Sequence, residues 1–407
     1  MARILISFVG TGSLIQSQST REYKTAEYHI GDVNLGEYPF VAAALSRHYN
    51  ADKIILIGTA HSMWEEVYRF YSELKGQAID EDAYLEIAEQ CGQCGCNSEL
   101  SIPRQDVIEK ALGNDSHIVL IRYGLNDDEI TQNIKTILSL QEYINSGDEL
   151  IVDVTHSFRS LPMIVMNLLI YLETVSRKRP KLSHIHYGML EVVKEIGYAP
   201  IVELKKMTEL TQWTIGASAF KNYDNAYQLA ELLEEEDPEL GKALKRFSDL
   251  LNLNHLRDIE NGIGRIKILK TREYTSPLAE MIVKPVFDDF LKQFGTIRGN
   301  HALFQYRLAK RRYDSMNYGL AIMTLQEAIL TYVCTALGFA WDNKEDREAA
   351  KGSIKIPGAI PEDLRNCYWR LTPIRNAVAH SIKSDKSAQR MINELRKHFE
   401  TAGKYIR

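Results

Sequence analysis

Short apolar runs alternate with helical segments over the first half of the chain. Five runs are rich in Ile, Leu and Val with little polar alternation, which is typical of strands buried on both faces of a parallel sheet. They cover residues 3–9, 53–57, 117–121, 149–154 and 183–187. Helical patterns lie between them, near residues 38–49, 62–74, 127–144 and 159–176. This alternation predicts right-handed crossovers and a doubly wound, Rossmann-like sheet.

The strand pattern ends near residue 207, and helical patterns continue from there. Predicted helices cover residues 217–236, 239–253, 277–293, 301–314, 316–337, 361–369, 373–381 and 387–405. Just before this change, a Gly-Tyr-Ala-Pro turn between residues 191–196 and 201–204 predicts a hairpin. We therefore expect an α/β domain with a parallel sheet over residues 1–204, a helical connector over 205–299 and an all-α domain over 300–407.

The composition is that of an ordinary globular protein, and it narrows the classes of partner. The 407 residues suffice for two or three domains. With 49 basic and 54 acidic residues the net charge is −5, so charge alone would not hold the chain on long duplex DNA, although a local basic patch stays compatible. The N-terminal apolar run is too short for a membrane span and lacks a signal-peptide pattern. We expect a soluble cytoplasmic protein that binds no membrane.

Small and polar residues follow every predicted strand. Ligands of open α/β sheets bind beyond the carboxyl ends of the strands. Glycines there allow close approach of the backbone, and free amides favour phosphate. The sequence therefore predicts a nucleotide-like ligand at this edge, with these candidate contacts: Gly10, Thr11, Gly12, Ser13, Gly58, Thr59, Ala60, Arg122, Tyr123, Thr155, His156, Ser157, Arg159, Gly188 and Met189.

The common nucleotide fingerprints are absent. Ile15 stands where a dinucleotide-binding motif beginning at Gly10 needs Gly or Ala, and no P-loop sequence occurs. A nicotinamide enzyme or a P-loop ATPase is therefore disfavoured. An ordinary strand-to-helix turn would also explain residues 10–13.

The segment after the fourth strand carries the most specific chemistry. Thr155 and Ser157 can donate to phosphate or ribose, His156 can donate or stack, and Arg159 can pair with phosphate. The alternative is a structural role, in which Asp153 and Thr155 cap the following helix and His156 packs in the core.

Residues 153–157 (Asp-Val-Thr-His-Ser) resemble the Asp-x-Thr-His-Gly motif of one group of CARF domains, the CRISPR-associated Rossmann fold, with Ser157 in place of Gly. Residues 53–59 and the Met-Trp-Glu at 63–65 are also similar to that group. The resemblance implies a homodimer that binds cyclic oligoadenylate across its two-fold axis. Cyclic tetra-adenylate is favoured over cyclic hexa-adenylate, because each protomer then faces half of a four-fold ring. Ser157 restricts the backbone and adds a hydroxyl near the ligand.

A second group of functional side chains lies near the end of the sequence. Thr372 is predicted as an N-cap and Pro373 as the first helical residue. Asn376 and His380 are four residues apart, hence on one helical face, and the long side chain of Arg375 can reach that face. A cation, an amide and an imidazole are what RNA cleavage by the 2′-hydroxyl requires. Arg and His at this spacing also occur as ordinary surface residues of helices.

Residues 375–380 resemble the R-x4–6-H motif of HEPN ribonucleases, and residues 318–337 resemble the long HEPN helix behind the catalytic one. The resemblance implies two HEPN domains paired in a dimer. Arg375 would stabilise the phosphorane, His380 would move protons or position the 2′-hydroxyl, and Asn376 would orient the phosphate or the His. The expected products carry 2′,3′-cyclic phosphate and 5′-hydroxyl ends, without a metal or other cofactor. Nearby cations could line an RNA groove or form a solvated face: Arg307, Lys310, Arg311 and Arg312.

Both resemblances together predict a cyclic oligoadenylate-activated, metal-independent endoribonuclease that cleaves single-stranded RNA in type III CRISPR antiviral defence. The predicted assembly is a homodimer, with higher oligomers open. One alternative is a cyclic oligoadenylate sensor with a silent HEPN site. Another is a ring nuclease that cleaves its own ligand at residues 155–157.

A cysteine motif has no role in the predicted ribonuclease. Cys91, Cys94 and Cys96 offer three soft ligands, whereas structural zinc requires four, with His117 or another loop or chain as a source of the fourth. A metal site, redox-active thiols and an uninvolved loop all stay open. The odd number of cysteines argues against a secreted disulfide framework. Cys334 and Cys367 are expected to be small buried residues.

Overall fold

The computed structural model describes residues 1–14, 21–22, 25–113, 115–156, 160–294, 297, 299–380 and 387–407. For residues 13, 14, 21, 22 and 380 it describes the backbone only. The chain divides into two compact units, Met1–Thr208 and Glu209–Arg407.

The first unit contains a mixed eight-stranded sheet and a separate two-stranded ribbon. The strands are β1 (Arg3–Val9), β2 (Ser13–Leu14), β3 (Arg21–Glu22), β4 (Ala26–Ile30), β5 (Val33–Tyr38), β6 (Lys53–Gly58), β7 (His117–Leu120), β8 (Glu149–Asp153), β9 (Lys181–Gly188) and β10 (Ala199–Glu203). The order is β5-β4-β10-β9-β8-β1-β6-β7. All five predicted strands form and pair in parallel, as β9-β8-β1-β6-β7. Three further strands, with β10 antiparallel to β9 and β5 antiparallel to β4, extend this sheet.

Helices cover both faces of the parallel strands. They are α1 (Val41–His48), α2 (Trp64–Leu74), α3 (Glu81–Gln93), α4 (Gln105–Leu112), α5 (Asp127–Ser139), α6 (Ser160–Thr174) and the short α7 (Val193–Ile196). Leu5 and Val9 of β1 lie in the core with α1–α4, whereas Ile4, Ile6 and Phe8 lie in the core with α5 and α6. Burial on both faces is the reason that these strands lack polar alternation.

The predicted hairpin over residues 191–204 is wrong in its first arm. Leu190–Val192 forms a 3₁₀ turn that continues into α7, and Gly197 ends this helix at φ +89°. The partner of β10 is instead β9, with Ile201 opposite Gly188. A short amphipathic stretch cannot distinguish the two conformations by its periodicity.

The second unit is helical. Its elements are α8 (Lys205–Tyr223), which begins before the boundary between the units, then α9 (Tyr227–Glu236), α10 (Pro238–Leu253), α11 (Leu256–Thr271), α12 (Pro277–Lys292), α13 (His301–Asp314), α14 (Tyr318–Ala336), α15 (Lys344–Lys355), α16 (Glu362–His380) and α17 (Ala388–Ala402). Two apolar cores share α13: Phe304 and Leu308 belong to the core of α8–α12, and Ala302 and Ala309 belong to that of α14–α17.

Two predicted helix boundaries need correction. The predicted helix over residues 217–236 is broken at Asp224, whose φ is +56°. The two helices predicted over 361–369 and 373–381 are one helix, α16, that runs through Pro373. Pro373 cannot donate a backbone hydrogen bond, which disfavours the interior of a helix. Burial of Leu371 and Ile374 on either side of it offsets this cost.

Helix α14 is, within the described part of the chain, the single helix long and apolar enough to cross a membrane, with a mean hydropathy of 1.3. It lies in the second core of the helical unit, where Ala321, Leu325 and Ile329 are fully buried.

The close approach of α9 and α10 predicts opposite effects of Gly→Ala at two helical positions. A Cβ at Gly241 would lie 2.6 Å from the backbone N of Glu234 and 2.7 Å from the carbonyl O of Ala230. We expect Gly241→Ala to destabilise the protein by about 1–3 kcal/mol through overpacking. Gly264, in α11, has nothing within 4 Å of such a Cβ. We expect Gly264→Ala to stabilise by about 0.5–1 kcal/mol. Urea denaturation of both variants measures the two changes, and equal signs would contradict the prediction.

Candidate functional site

A cavity of about 630 Å³ opens at the carboxyl ends of the central parallel strands. Its lining includes seven of the residues predicted to contact a ligand: Gly10, Thr11, Gly12, Gly58, Thr59, Thr155 and His156. They come from three segments that the parallel sheet brings to one edge, after β1, β6 and β8. This is the position at which open α/β sheets bind their ligands.

Other predicted contacts lie elsewhere. Ala60, Tyr123 and Met189 are not part of the lining of this cavity. Arg122 is also outside it, because its guanidinium donates to the carbonyl of Ser98 at 2.6 Å. Ser157 and Arg159 fall outside the described residues, as does the side chain of Ser13.

The turn after β8 is organised by a buried carboxylate. Asp153, which is 0% exposed, accepts hydrogen bonds from the hydroxyl of Ser7 and from both the backbone N–H and the hydroxyl of Thr155. The Thr155 hydroxyl oxygen in turn accepts from the backbone N–H of Gly188 at 2.7 Å. Asp153 and Gly188 therefore support the cavity without the carboxylate lining it. The role of Asp153 is structural, but among the described residues its partners are Ser7 and Thr155, and no bond that caps the following helix is found.

Gly58 leaves no room for a side chain where β6 ends. A Cβ there would lie 2.6 Å from Cζ2 of Trp64 and 2.8 Å from Oγ of Ser62. Ser62 donates to the carbonyl of Val9 at 2.7 Å and accepts from the N–H of Thr59 at 3.0 Å. These bonds join the ends of β1 and β6 and set the shape of the cavity wall.

Several residues of the cavity carry no recognisable sequence signal. Thr25, Pro39, Ser62, Leu190 and Val193 line it, together with the exposed Lys194. Lys194 brings a positive charge to the mouth of the cavity. Lys194 lies on the short helix α7, which replaces the first arm of the predicted hairpin. Lys194 is missed by sequence alone because this segment is predicted as a strand.

Burial lowers the pKa of His156 from the ordinary value of 6.5, against an opposing effect of Asp153. The imidazole is therefore neutral near pH 7. A neutral imidazole can donate through one ring nitrogen and accept through the other.

Helix α16 places Arg375 and Asn376 at its exposed end. The guanidinium of Arg375 donates to the amide oxygen of Asn376 at 3.3 Å, and both side chains are half-buried. His380 lies one helical turn beyond Asn376 at the end of the helix, and its side chain is outside the described set. Thr372 does not cap a helix, because its hydroxyl donates to the carbonyl of Tyr368.

Helix α14 supports α16 from behind. The amide of Gln326 donates to the hydroxyl of Thr372 at 2.8 Å. At the other end, a Cβ on Gly319 would approach Cγ1 of Val378 to 3.4 Å. The long apolar helix thus packs along the helix that carries Arg375 and Asn376.

The predicted RNA-facing cations of α13 do not form an open basic surface. Arg311 pairs with Asp224 through side chains that are 9% and 10% exposed, and its guanidinium lies 4.9 Å from the ring centre of Phe290. The prediction that Arg311 faces RNA is wrong, because its charge is buried and neutralised. Arg307 donates to the carbonyl of Gln293, and Lys310 pairs with Asp314.

Arg312 is likewise a structural residue. It is 1% exposed and donates to the carbonyl of Leu251, to Oδ1 of Asn254 and to the hydroxyl of Thr324. Burial lowers its pKa to about 10, so it stays charged at neutral pH.

The cysteine motif forms no metal-ligand cluster within the described ranges. Cys91 is buried in α3, and the thiol of Cys94 donates to the carbonyl of Gln90. His117, considered as a fourth ligand, stacks instead on Tyr143 with ring centres 4.1 Å apart.

The lowered pKa of His156 predicts a pH dependence of stability. As pH falls below about 6.5, the unfolded chain binds a proton at His156 before the folded chain does, so the free energy of unfolding falls with pH. We expect His156→Gln to reduce this slope between pH 7 and 5. Denaturant unfolding across this pH range measures the slope for wild type and variant, and equal slopes would refute the prediction.

Known proteins match both units. Residues 4–191 match the family model of the CARF domain of CRISPR system endoribonuclease Csx1. Residues 209–300 match the second domain of CRISPR-associated protein MJ1674. That protein, from Methanocaldococcus jannaschii, is 33% identical in an alignment of 411 residues that covers 95% of this chain and 63% of the relative. The chain thus spans less than two thirds of that relative's length.

A solved structure of Enterococcus italicus Csm6, bound to cyclic hexa-2′-fluoro-hexa-dAMP, aligns over 100% of this chain and 94% of that chain with 12% identity and a TM-score of 0.41. The match to the Csx1 CARF model covers β1 to β9 and ends before α7 and β10. The second family model and the relative from Methanocaldococcus jannaschii agree with it. The first unit is therefore similar to the CARF domain of Csx1 over residues 4–191, and the second unit is similar to the second domain of MJ1674 over residues 209–300.

Proposed function

We propose that this protein is a cyclic oligoadenylate-activated endoribonuclease that cleaves single-stranded RNA without a metal in type III CRISPR defence. The observation that carries the proposal is the cavity at the strand ends of the first unit, which is similar to the CARF domain of Csx1, and the glycines, threonine hydroxyls and histidine that line it. Csx1 is described as an endoribonuclease, and the Csm6 structure holds a cyclic hexanucleotide analogue.

The lining suits a phosphorylated nucleotide ring. Gly10 and Gly12 allow close approach of the backbone, the hydroxyls of Thr11 and Thr59 are neutral hydrogen-bonding groups, and Lys194 offers a charge for phosphate. A cavity of about 630 Å³ has the size of a site for one drug-sized ligand. One protomer would therefore hold part of a cyclic tetra-adenylate, and a second copy across a two-fold axis would complete the site.

The RNA chemistry is assigned to the end of α16 in a HEPN-type helical domain. The 2′-oxygen of the substrate attacks its own phosphate, the P–O5′ bond breaks, and the products carry 2′,3′-cyclic phosphate and 5′-hydroxyl ends. Arg375 stabilises the charge on the phosphorane, and His380 moves protons or positions the 2′-hydroxyl. Asn376 holds the Arg375 guanidinium in place through the contact at 3.3 Å.

Activation requires that the ligand bind the competent arrangement of the dimer more tightly than the incompetent one. Arg375 lies in the helical unit and the cavity in the first unit, so the two sites belong to different units of the chain. We propose that the coupling arises in a dimer assembled in the cytoplasm. RNA would be held near α16 by groups other than Arg311 and Arg312, whose charges are buried.

A ring nuclease is the second candidate, and Thr155 and His156 in the cavity wall favour it. A neutral His156 could accept a proton from a ribose 2′-hydroxyl of the bound ring. This activity would cleave the activator and end the response. A sensor with a silent HEPN site would keep ligand binding and lack both cleavage reactions.

Cleavage of a labelled single-stranded RNA in EDTA tests the main proposal. We expect cutting that depends on cyclic tetra-adenylate and that falls by roughly 10²–10⁴-fold in His380→Ala and Arg375→Ala. The matched control is Arg370→Ala, an exposed arginine earlier on the same helix, which should keep wild-type activity.

The alternatives give different results in the same assay. Silence with cyclic tetra-adenylate and cutting with cyclic hexa-adenylate would correct the ring size alone. Silence with every ring, while binding persists, would favour the sensor. Linear oligoadenylate formed by the His380→Ala variant would establish a ring nuclease. Undiminished RNA cutting by the Arg375 and His380 variants would refute the assignment of α16.

Lys194 provides a test of the cavity itself. We expect Lys194→Ala to raise the concentration of cyclic tetra-adenylate needed for half-maximal activation by about 3- to 10-fold, the effect of about 1 kcal/mol for an exposed charge. Lys181→Ala is the control, because its side chain is 75% exposed and outside the cavity lining. Direct binding measurements on both variants separate weakened ligand binding from impaired RNA cleavage. Equal affinities would remove Lys194 from the site.

A further inference from the structure

Two histidines and a glutamate meet on strands β9 and β10, outside the cavity. His184, His186 and Glu203 each offer one potential ligand atom, and these atoms lie within 4.8 Å of one another. His184 and His186 are two residues apart on β9 and therefore face the same side of the sheet. Glu203 lies directly opposite His186 in the register of β10 with β9.

The arrangement of these side chains is held by contacts around them. The carboxylate of Glu203 accepts the N–H groups of Ile185 at 2.9 Å and Lys205 at 3.0 Å through Oε1, which leaves Oε2 directed at Nδ1 of His184, 2.7 Å away. His186 is 1% exposed, and its Nε2 lies 2.8 Å from the hydroxyl of Tyr49. Nδ1 of His186 is buried.

We propose that His184, His186 and Glu203 form a binding site for one divalent transition metal, best suited to Zn²⁺. Two imidazole nitrogens and a carboxylate oxygen are the donors that zinc takes at three of its four positions, with water at the fourth. Mg²⁺ and Ca²⁺ prefer sites made entirely of oxygen. This site goes beyond the proposed RNA cleavage and is separate from α16 in the chain.

The distances require only a small adjustment on binding. Ligand atoms about 2.0–2.1 Å from a tetrahedral zinc lie roughly 3.3 Å from one another. His184 and Glu203 have side chains 38% and 39% exposed, so they can move by the required distance of up to about 1.5 Å while His186 stays in place. The hydroxyl of Tyr49 then orients His186 from its second nitrogen, as outer partners of metal-bound histidines commonly do.

A second His–Glu pair in the same unit lacks the additional histidine of this cluster. His29 and Glu27 of β4 form a pair with 2.7 Å between Nε2 and Oε1. His29 stacks on Tyr198, and this pair has no second histidine. Substitution of His29 is therefore a matched control, because it removes a His–Glu pair that cannot supply three metal ligands.

Calorimetric titration of Zn²⁺ into the untagged full chain, after dialysis against EDTA and then buffer, tests the site. We expect one Zn²⁺ per chain and no binding of Mg²⁺. His184→Ala and Glu203→Gln should each weaken the affinity by about 100-fold or more, and Tyr49→Phe by roughly 10-fold. His29→Ala should stay within about threefold of wild type.

Two further readouts make the outcome independent of RNA cleavage. Co²⁺ should give the visible absorption of a tetrahedral N₂O site in wild type and lose it in His184→Ala. Zn²⁺ should raise the melting temperature of wild type and His29→Ala, and leave that of His184→Ala unchanged. Circular dichroism of the variants confirms folding; His186 is not substituted because its burial makes folding sensitive to its loss. Absence of Zn²⁺ binding by wild type, or binding by His184→Ala and Glu203→Gln that is as tight as that of wild type, would overturn the proposal whatever the RNA assay shows.

Discussion

The buried carboxylate of Asp153 is the group on which the edge of the sheet that borders the cavity of the first unit depends. It is fully buried at the end of β8, where an unpaired charge would be costly, so it requires hydrogen-bond donors. Those donors are Ser7 on β1 and the backbone and hydroxyl of Thr155. Hydrogen bonds to a charged group contribute about 1.5–3 kcal/mol each. The carboxylate thus holds together the strand ends and the turn that carries His156 into the cavity.

Asp153 is part of a polar row that crosses the sheet on one face. In the strand order β1-β8-β9-β10, Ser7 bonds to Asp153, Asp153 lies opposite His186, and His186 lies opposite Glu203. The first three are buried, and Glu203 reaches solvent. A row of buried polar groups specifies register strongly, because a slip by one residue would place each of them among the apolar side chains of the other face. The ligand cavity and the histidine cluster therefore depend on the same strand register.

In the helical unit, packing decides the conformation of residues whose local signals conflict with it. Pro373 sits inside α16 because Leu371 and Ile374 are buried beside it. Arg311 and Arg312 look like an RNA-facing surface in the sequence, yet both are enclosed by partners from other helices. The buried positive charges of Arg311 and Arg312 therefore contribute to helix packing.

The sequence by itself determined the fold class, the five parallel strands and most of the helices, because burial on one or both faces leaves a periodic pattern that is local. The sequence also identified the residues at 153–156 and 375–380 as candidate functional groups, because residue type and spacing alone indicate their chemistry. Tertiary structure alone decided that β4, β5 and β10 extend the sheet, and that Lys194 reaches the cavity on a short helix. It alone decided that Arg311 is buried and that His184, His186 and Glu203 meet. Each of these depends on strand order and helix packing, which join residues distant in the chain and leave no periodic trace in it.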